Sequence, residues 1–150
     1  MKLSNILTPN RCFCKMQGFS KKRLLKTLST TLGESFNNLD ENQIFDSMMA
    51  REQLGSTGIG NGIAIPHCRV PDCEEIIGCL ITLDSHIDYD SVDGIPVDLI
   101  FVLIVPEESK DDHIRTLAIV AERFSNKSFC DALRQAQDDI ELYGQAVSFT

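Results

Sequence analysis

Apolar positions recur at helical spacing in five stretches of the 150-residue chain and at strand spacing in three. Leu24, Leu25, Leu28 and Leu32 form one helical face, with Ser20 placed as N-cap and Gly33 as the stop. Ile44, Phe45, Met48 and Met49 form a second face, capped by Asp40 and ending near Leu54-Gly55. Ile114, Leu117, Ala118, Ala121 and Phe124 form a third, with Ser109 as candidate N-cap and Asp111 and Asp112 in the first turn. Asn126 opens a fourth helix through Phe129 and Leu133, and Asp138 or Asp139 opens a fifth containing Ile140 and Tyr143. Ile63-Ala64-Ile65, Ile76 to Leu83 and Asp98 to Val105 read as strands; the last is apolar on both faces and stopped by Pro106. Strands interspersed with helices predict an α/β sandwich, and no linker or repeat divides residues 1–150, so one domain is expected.

Between the second helix and the first strand lies Gly55-Ser56-Thr57-Gly58-Ile59-Gly60-Asn61-Gly62, with four glycines in eight residues. Glycine permits positive φ, so successive N–H groups of such a loop can converge on an anion. Gly58, Gly60 and Gly62 are therefore candidate phosphate-binding residues, and Ser56 and Thr57 either donate hydroxyls to the same anion or merely stabilise the turn. The strand after the loop ends at Pro66-His67. Proline fixes its own φ and biases Ile65 to an extended conformation, so the imidazole is presented from a stiff strand end. A nucleophile beside an anion-binding loop is what phosphoryl transfer needs. The loop lacks the Gly-Lys-Ser/Thr of a nucleotide P-loop and the spacing of a dinucleotide fingerprint.

Charge narrows the partners. A net charge of −8 opposes nonspecific nucleic-acid binding and anionic membrane surfaces. The longest strongly apolar run, Leu99 to Val105, is too short to span a bilayer, and the N-terminus carries no apolar signal region, so a cytoplasmic protein is expected. The six cysteines have no Cys-x-x-Cys spacing. Free thiols are favoured over three disulfides, and zinc is only weakly supported. Cys79 reads as a small hydrophobe in a strand. His86, in Asp84-Ser85-His86-Ile87, reads as a solvated loop residue, and Arg51 falls in the last turns of its helix, where a cation suits the macrodipole. His113, in the first turns of the third helix, is either an exposed polar residue or a second imidazole facing His67.

The segment Arg51-Glu52-Gln53-Leu54-Gly55-Ser56-Thr57-Gly58 through Pro66-His67 closely resembles the active-site segment of the fructose/mannitol-type enzyme IIA family of the bacterial phosphoenolpyruvate-dependent phosphotransferase system. The resemblance runs from Leu3 to Tyr143, and Ile87-Asp88-Tyr89-Asp90-Ser91-Val92-Asp93-Gly94-Ile95-Pro96-Val97-Asp98-Leu99 points to its nitrogen-regulatory branch. It implies a mixed sheet flanked by helices. It also implies His67 as phosphoryl acceptor through Nε2, with Arg51 and His113 beside it. His113-Ile114-Arg115-Thr116-Leu117 resembles the family's second-histidine motif, although Arg115 stands where that branch sometimes has another histidine. Cys68 replaces the glycine that commonly follows Pro-His. It is either a tolerated small residue or a thiol beside the site.

The implied donor is a histidine-phosphorylated small phosphocarrier protein. Its N–P bond is already activated, so no nucleotide, metal or other cofactor is expected. Ile59 and Ile63 are candidates for an apolar docking patch, or for the core. The implied function is a phosphoryl-accepting regulator of targets such as sensor kinases, transporters or metabolic enzymes. The alternatives are a sugar-uptake relay to a IIB domain and a thiol- or metal-sensing binding module.

Overall fold

The computed structural model describes residues 2–108 and 110–148. After two short 3₁₀ turns come β1 (Cys12–Met16), α1 (Lys21–Ser35) and α2 (Glu41–Gln53). Then follow β2 (Gly58–Gly60), β3 (Ile63–Ala64), β4 (His67–Val70), β5 (Ile77–Ile87) and β6 (Val97–Pro106). Three helices end the chain: α3 (Lys110–Phe124), α4 (Lys127–Gln135) and α5 (Asp139–Ser148). The strands form one sheet in the order β1-β5-β6-β3-β2, with β4 also paired to β6. β1 runs parallel to β5; β3 and β4 run parallel to β6; the β5–β6 and β2–β3 pairs are antiparallel. This is the mixed sheet flanked by helices that the family resemblance implies.

The pleat of β6 divides the core. Ile100, Val102 and Ile104 pack with Leu25, Leu28, Ile44 and Met48 of α1 and α2. Leu99, Phe101, Leu103 and Val105 pack with Val120, Phe124, Phe129, Leu133 and Leu142 of α3, α4 and α5. An alternating strand buried on both faces explains the unbroken apolar run, and each fully buried side chain of this size contributes about 1.5–3 kcal/mol.

Ser20 and Asn126 cap α1 and α4, accepting from the N–H groups of Arg23 and Phe129, and Asp40 caps α2 by accepting from Asn42. Asp138 accepts from the Glu141 N–H at the start of α5. The candidate cap Ser109 lies outside the described residues. Gly33 does not stop α1, which continues to Ser35. A Cβ at Gly33 would stand 2.9 Å from Glu41 Cβ, so this glycine lets α1 approach the start of α2. β5 extends past Leu83 and carries His86 on a strand rather than in a loop; His86 is exposed, with Nε2 3.5 Å from Asp98 Oδ2. β1 was not predicted. Its Cys12-x-Cys14 spacing is strand alternation, which turns both thiols towards the α3–α5 core.

Candidate active site

Proline has no N–H to give a sheet ladder. Here β3 ends at Ala64 and pairing with β6 resumes at His67, while the Pro66 carbonyl accepts from the Leu103 N–H at 2.9 Å. His67 therefore opens a new strand instead of closing the previous one. Its Nδ1 lies 2.8 Å from the Ile65 carbonyl oxygen. A carbonyl only accepts, so Nδ1 carries the proton. Burial is the main cause holding the imidazole pKa below its ordinary 6.5, and the Arg51 charge acts in the same direction. The neutral ring then has a bare lone pair on Nε2, and Arg51 Nε–H donates to it at 3.3 Å. Two separate contacts specify one tautomer.

Arg51 lies in the last turn of α2, and its Nη1 also donates to the Gly55 carbonyl at 2.8 Å. The next residue, Glu52, is buried. A buried carboxylate needs partners. Lys21 Nζ approaches Glu52 Oε1 at 2.9 Å, the Thr57 N–H donates to Oε1 at 3.0 Å, and the Thr57 hydroxyl and the Tyr89 phenol (3.4 Å) both donate to Oε2. Tyr89 is fully buried, and burial next to the Glu52 charge pushes its phenol well up. Lys21 Nζ also sits 4.5 Å from the Tyr89 ring centroid. This network ties the end of α2 to α1 and to the chain entering β2, and so fixes the base of the Arg51 side chain.

β4 alternates. Cys68 and Val70 enter the core beneath α1 and α2, leaving His67 and Arg69 half-buried on the other side. Burial pushes the Cys68 thiol up to about 12, which disfavours its thiolate. Arg69 Nε–H donates to His113 Nδ1 at 3.4 Å, and the His67 and His113 ring centroids are 5.5 Å apart at an interplanar angle of 65°. Arg51, His67, Arg69 and His113 line one open pocket of about 560 Å³, together with Ser47, Ala50, Leu54 and Cys68. Burial and the neighbouring His67 and Arg69 also lower the His113 pKa.

The glycine segment lies elsewhere. None of Ser56, Thr57, Gly58, Gly60 and Gly62 lines the pocket around His67. Ser56 Oγ donates to the Tyr89 carbonyl at 2.8 Å and accepts from Gly58 N–H at 3.1 Å; Thr57 is spent on Glu52. Residues 58–64 form the β2–β3 hairpin, which turns through Gly60, Asn61 and Gly62, all at positive φ. The anion the turn does bind is internal: Asp93 accepts from the N–H groups of Asn61 (2.9 Å) and Ile95 (3.0 Å). The glycines serve hairpin geometry and close packing, since a Cβ at Gly58 would run into Ser91.

The model for the family described as "Phosphoenolpyruvate-dependent sugar phosphotransferase system, EIIA 2" matches residues 5–145. This chain belongs to that family. A protein of Pseudomonas aeruginosa named nitrogen regulatory protein is 42% identical over 143 residues, covering 95% of this chain and 93% of the relative. The crystal structure of nitrogen regulatory protein IIA-Ntr from Neisseria meningitidis superimposes with a TM-score of 0.88 at 35% identity, covering 96% of this chain and 98% of that one. Mannitol IIA of Escherichia coli has a TM-score of 0.74 at 15% identity over 93% of this chain and 98% of its own, a likeness of fold alone. The EIIA domain described here sits with the nitrogen-regulatory branch.

The EIIA frame leaves little for the cysteines to do. All are free, and five of the six are buried. Burial raises the pKa of Cys12, to about 12, and of Cys73, Cys79 and Cys130. Among the described residues no three His, Cys, Asp or Glu side chains are grouped to hold a metal ion. No described helix is long and apolar enough to cross a membrane. Ile63 is buried, whereas Ile59 is 45% exposed. Leu54 and Ile114, the exposed apolar residues next to the active groups, were not anticipated. Arg69, Glu52, Lys21 and Tyr89 were also missed as site residues. Arg69 left a signal in the polar–apolar alternation of His67-Cys68-Arg69-Val70, and Glu52 and Tyr89 stand inside the segments that carry the family resemblance.

Proposed function

We propose that His67 Nε2 accepts a phosphoryl group from a histidine-phosphorylated small phosphocarrier protein, and that the phosphorylation state of this cytoplasmic protein selects its regulated targets. The observation that carries the reading is the preset tautomer: Nδ1–H is tied to the Ile65 carbonyl, and the Nε2 lone pair opens on a pocket flanked by two arginines and a second imidazole. In the transfer the Nε2 lone pair attacks phosphorus and forms the new N–P bond. The donor imidazole leaves with the electron pair of the old one. The proton stays on Nδ1 throughout, donated to the Ile65 carbonyl.

Arg51 Nε–H gives up the lone pair it covers and moves to a phosphoryl oxygen, where a charged donor gains most. His113 supplies further stabilisation of the equatorial oxygens, since this chemistry is mostly positioning and electrostatics. The exposed Leu54 and Ile114 form the apolar part of the face that meets the phosphocarrier. A phosphate adds about −1.5 to −2 charges at the centre of that face, enough to reorder which partners bind. Incubation with phosphoenolpyruvate, enzyme I and the phosphocarrier, followed by intact-mass measurement, should show one acid-labile phosphoryl group per chain. No added mass under conditions that phosphorylate the carrier would reject the reading. Equal affinity of a target for both forms would reject the regulatory half and favour a relay to a IIB domain.

A further inference from the structure

We propose that Arg69 is a positioning residue for this transfer: its bond to His113 Nδ1 fixes that imidazole with the proton on Nε2, and so presents a buried N–H donor to a phosphoryl group on His67. The proposal rests on His67 being the acceptor and adds a role on the opposite wall of the pocket. Three observations carry it. First, a guanidinium has donors only, so the 3.4 Å contact from Arg69 Nε requires a lone pair on His113 Nδ1. A neutral ring then carries its single proton on Nε2. Second, His113 Nε2 is buried and makes no hydrogen bond among the described residues. An unpaired buried N–H is unfavourable in the resting protein, and that penalty is relieved when an acceptor oxygen arrives. Third, the two imidazoles are 5.5 Å apart, centroid to centroid, with His67 and Arg69 on the same side of β4. One short strand thus carries the proposed acceptor and the residue that orients its neighbour.

Arg69 acts through His113 in this arrangement, in contrast to Arg51, which touches the reacting nitrogen itself. Free imidazole rings exchange tautomers and flip. The bond from Arg69 removes that freedom before the donor protein arrives, which is where preorganisation gains rate.

The test uses the full chain, with the phosphorylated carrier as probe. Imidazole ¹⁵N spectra of the unphosphorylated protein should show His113 as one tautomer, protonated at Nε2. In Arg69→Met the two nitrogens should average, and transfer should slow by about tenfold, less than the roughly hundredfold expected for losing a donor outright. Arg69→Lys keeps an N–H donor and should restore both the tautomer and most of the rate. In a His113→Ala background, Arg69→Met should cost nothing further, because two residues acting as one unit are not additive. Unchanged His113 spectra and rate in Arg69→Met would overturn the proposal. So would an Arg69→Lys protein that keeps the tautomer yet transfers as slowly as Arg69→Met, or full additivity with His113→Ala, which would mean that Arg69 binds the phosphoryl group directly. Labelling of His67→Ala would instead overturn the acceptor assignment, whatever Arg69 does.

Discussion

His67 stands on β4 with both ring nitrogens engaged, one by the Ile65 carbonyl and one by Arg51. His113 stands on α3 with Nδ1 engaged by Arg69 and Nε2 buried without a partner among the described residues. Each imidazole meets an arginine, at opposite nitrogens. The result is opposite tautomers across one pocket: a lone pair on one wall and an N–H on the other. The walls also differ in how firmly they are held. The His67 wall is braced by the sheet and, through Arg51, by the Glu52 network; His113 has a single side-chain hydrogen bond among the described residues, next to the exposed Ile114. In the proposed assignment, role follows from what each ring is tied to, since the side chains are chemically identical. A nucleophile must not wander, whereas a donor can be recruited when charge arrives.

The sharpest way to break this contrast is to remove each ring in turn. His67→Ala should abolish acid-labile phosphate in an intact-mass assay, and His113→Ala should leave the acceptor in place. Phosphate on another residue of His67→Ala would dissolve the assignment of roles. Next in size is the brace. Glu52→Ala removes a carboxylate that serves Lys21, Thr57 and Tyr89 and leaves the buried end of Lys21 uncompensated. A loss of about 3–5 kcal/mol is expected in urea unfolding at pH 7. A loss under about 1 kcal/mol would show that the network is not what holds the His67 wall.

Arg51→Ala and His113→Ala should each slow transfer by about 10² in rapid-quench measurements, the scale for removing a donor to developing charge. Arg51→Ala should also move the pH profile. The His67 pKa is below 6.5 in the folded protein, so the nucleophile is already neutral at pH 7 and the rate should stay flat from pH 7 to pH 8. It should fall only on the acid side. Removing the Arg51 charge raises the His67 pKa and should shift that acid limb to higher pH; His113→Ala, which removes another group able to carry positive charge, should shift it far less. The stability linkage has the same origin. Both histidines bind protons more readily unfolded than folded, so their contribution is present above pH 6.5 and is lost as pH falls towards the lowered folded values. A denaturation midpoint that rose on acidification across this window would contradict the depressed values.

Sequence was legible where structure is local. Ser20, Asp40 and Asn126 cap helices because a cap needs only its own next turn. The central strand was visible because it is apolar on both faces. Short strands were not: β1 and β4 have five and four residues, and their period of two gains meaning only beside β5 and β6. His67 was found through Pro66, but reading it as the end of a strand hid Arg69 two residues on. Glu52 reads as an ordinary polar helix residue until Lys21 and Tyr89, 31 and 37 positions away, converge on it. Glycine density marks exposed N–H groups without saying whose anion they meet. Here Asp93 takes the Asn61 N–H.

That ambiguity yields the smallest effect. Ser56 lies in the glycine segment, four residues before Gly60, and a serine there is well placed in sequence to hold a phosphate. In the fold its hydroxyl donates to the Tyr89 carbonyl and accepts from Gly58 N–H. Ser56→Ala should therefore cost about 1 kcal/mol of stability, the net worth of such bonds, and leave the phosphoryl-transfer rate within about twofold of the parent. Hairpin and pocket would then be separable: one loses stability without losing rate, and Arg51→Ala loses rate. Should Ser56→Ala slow transfer as much as Arg51→Ala with no loss of stability, the hydroxyl would have to turn from Tyr89 to the phosphoryl group when the donor docks. The glycine segment would then belong to the site after all, and the pocket would be closed from the α2 side by a hairpin that moves.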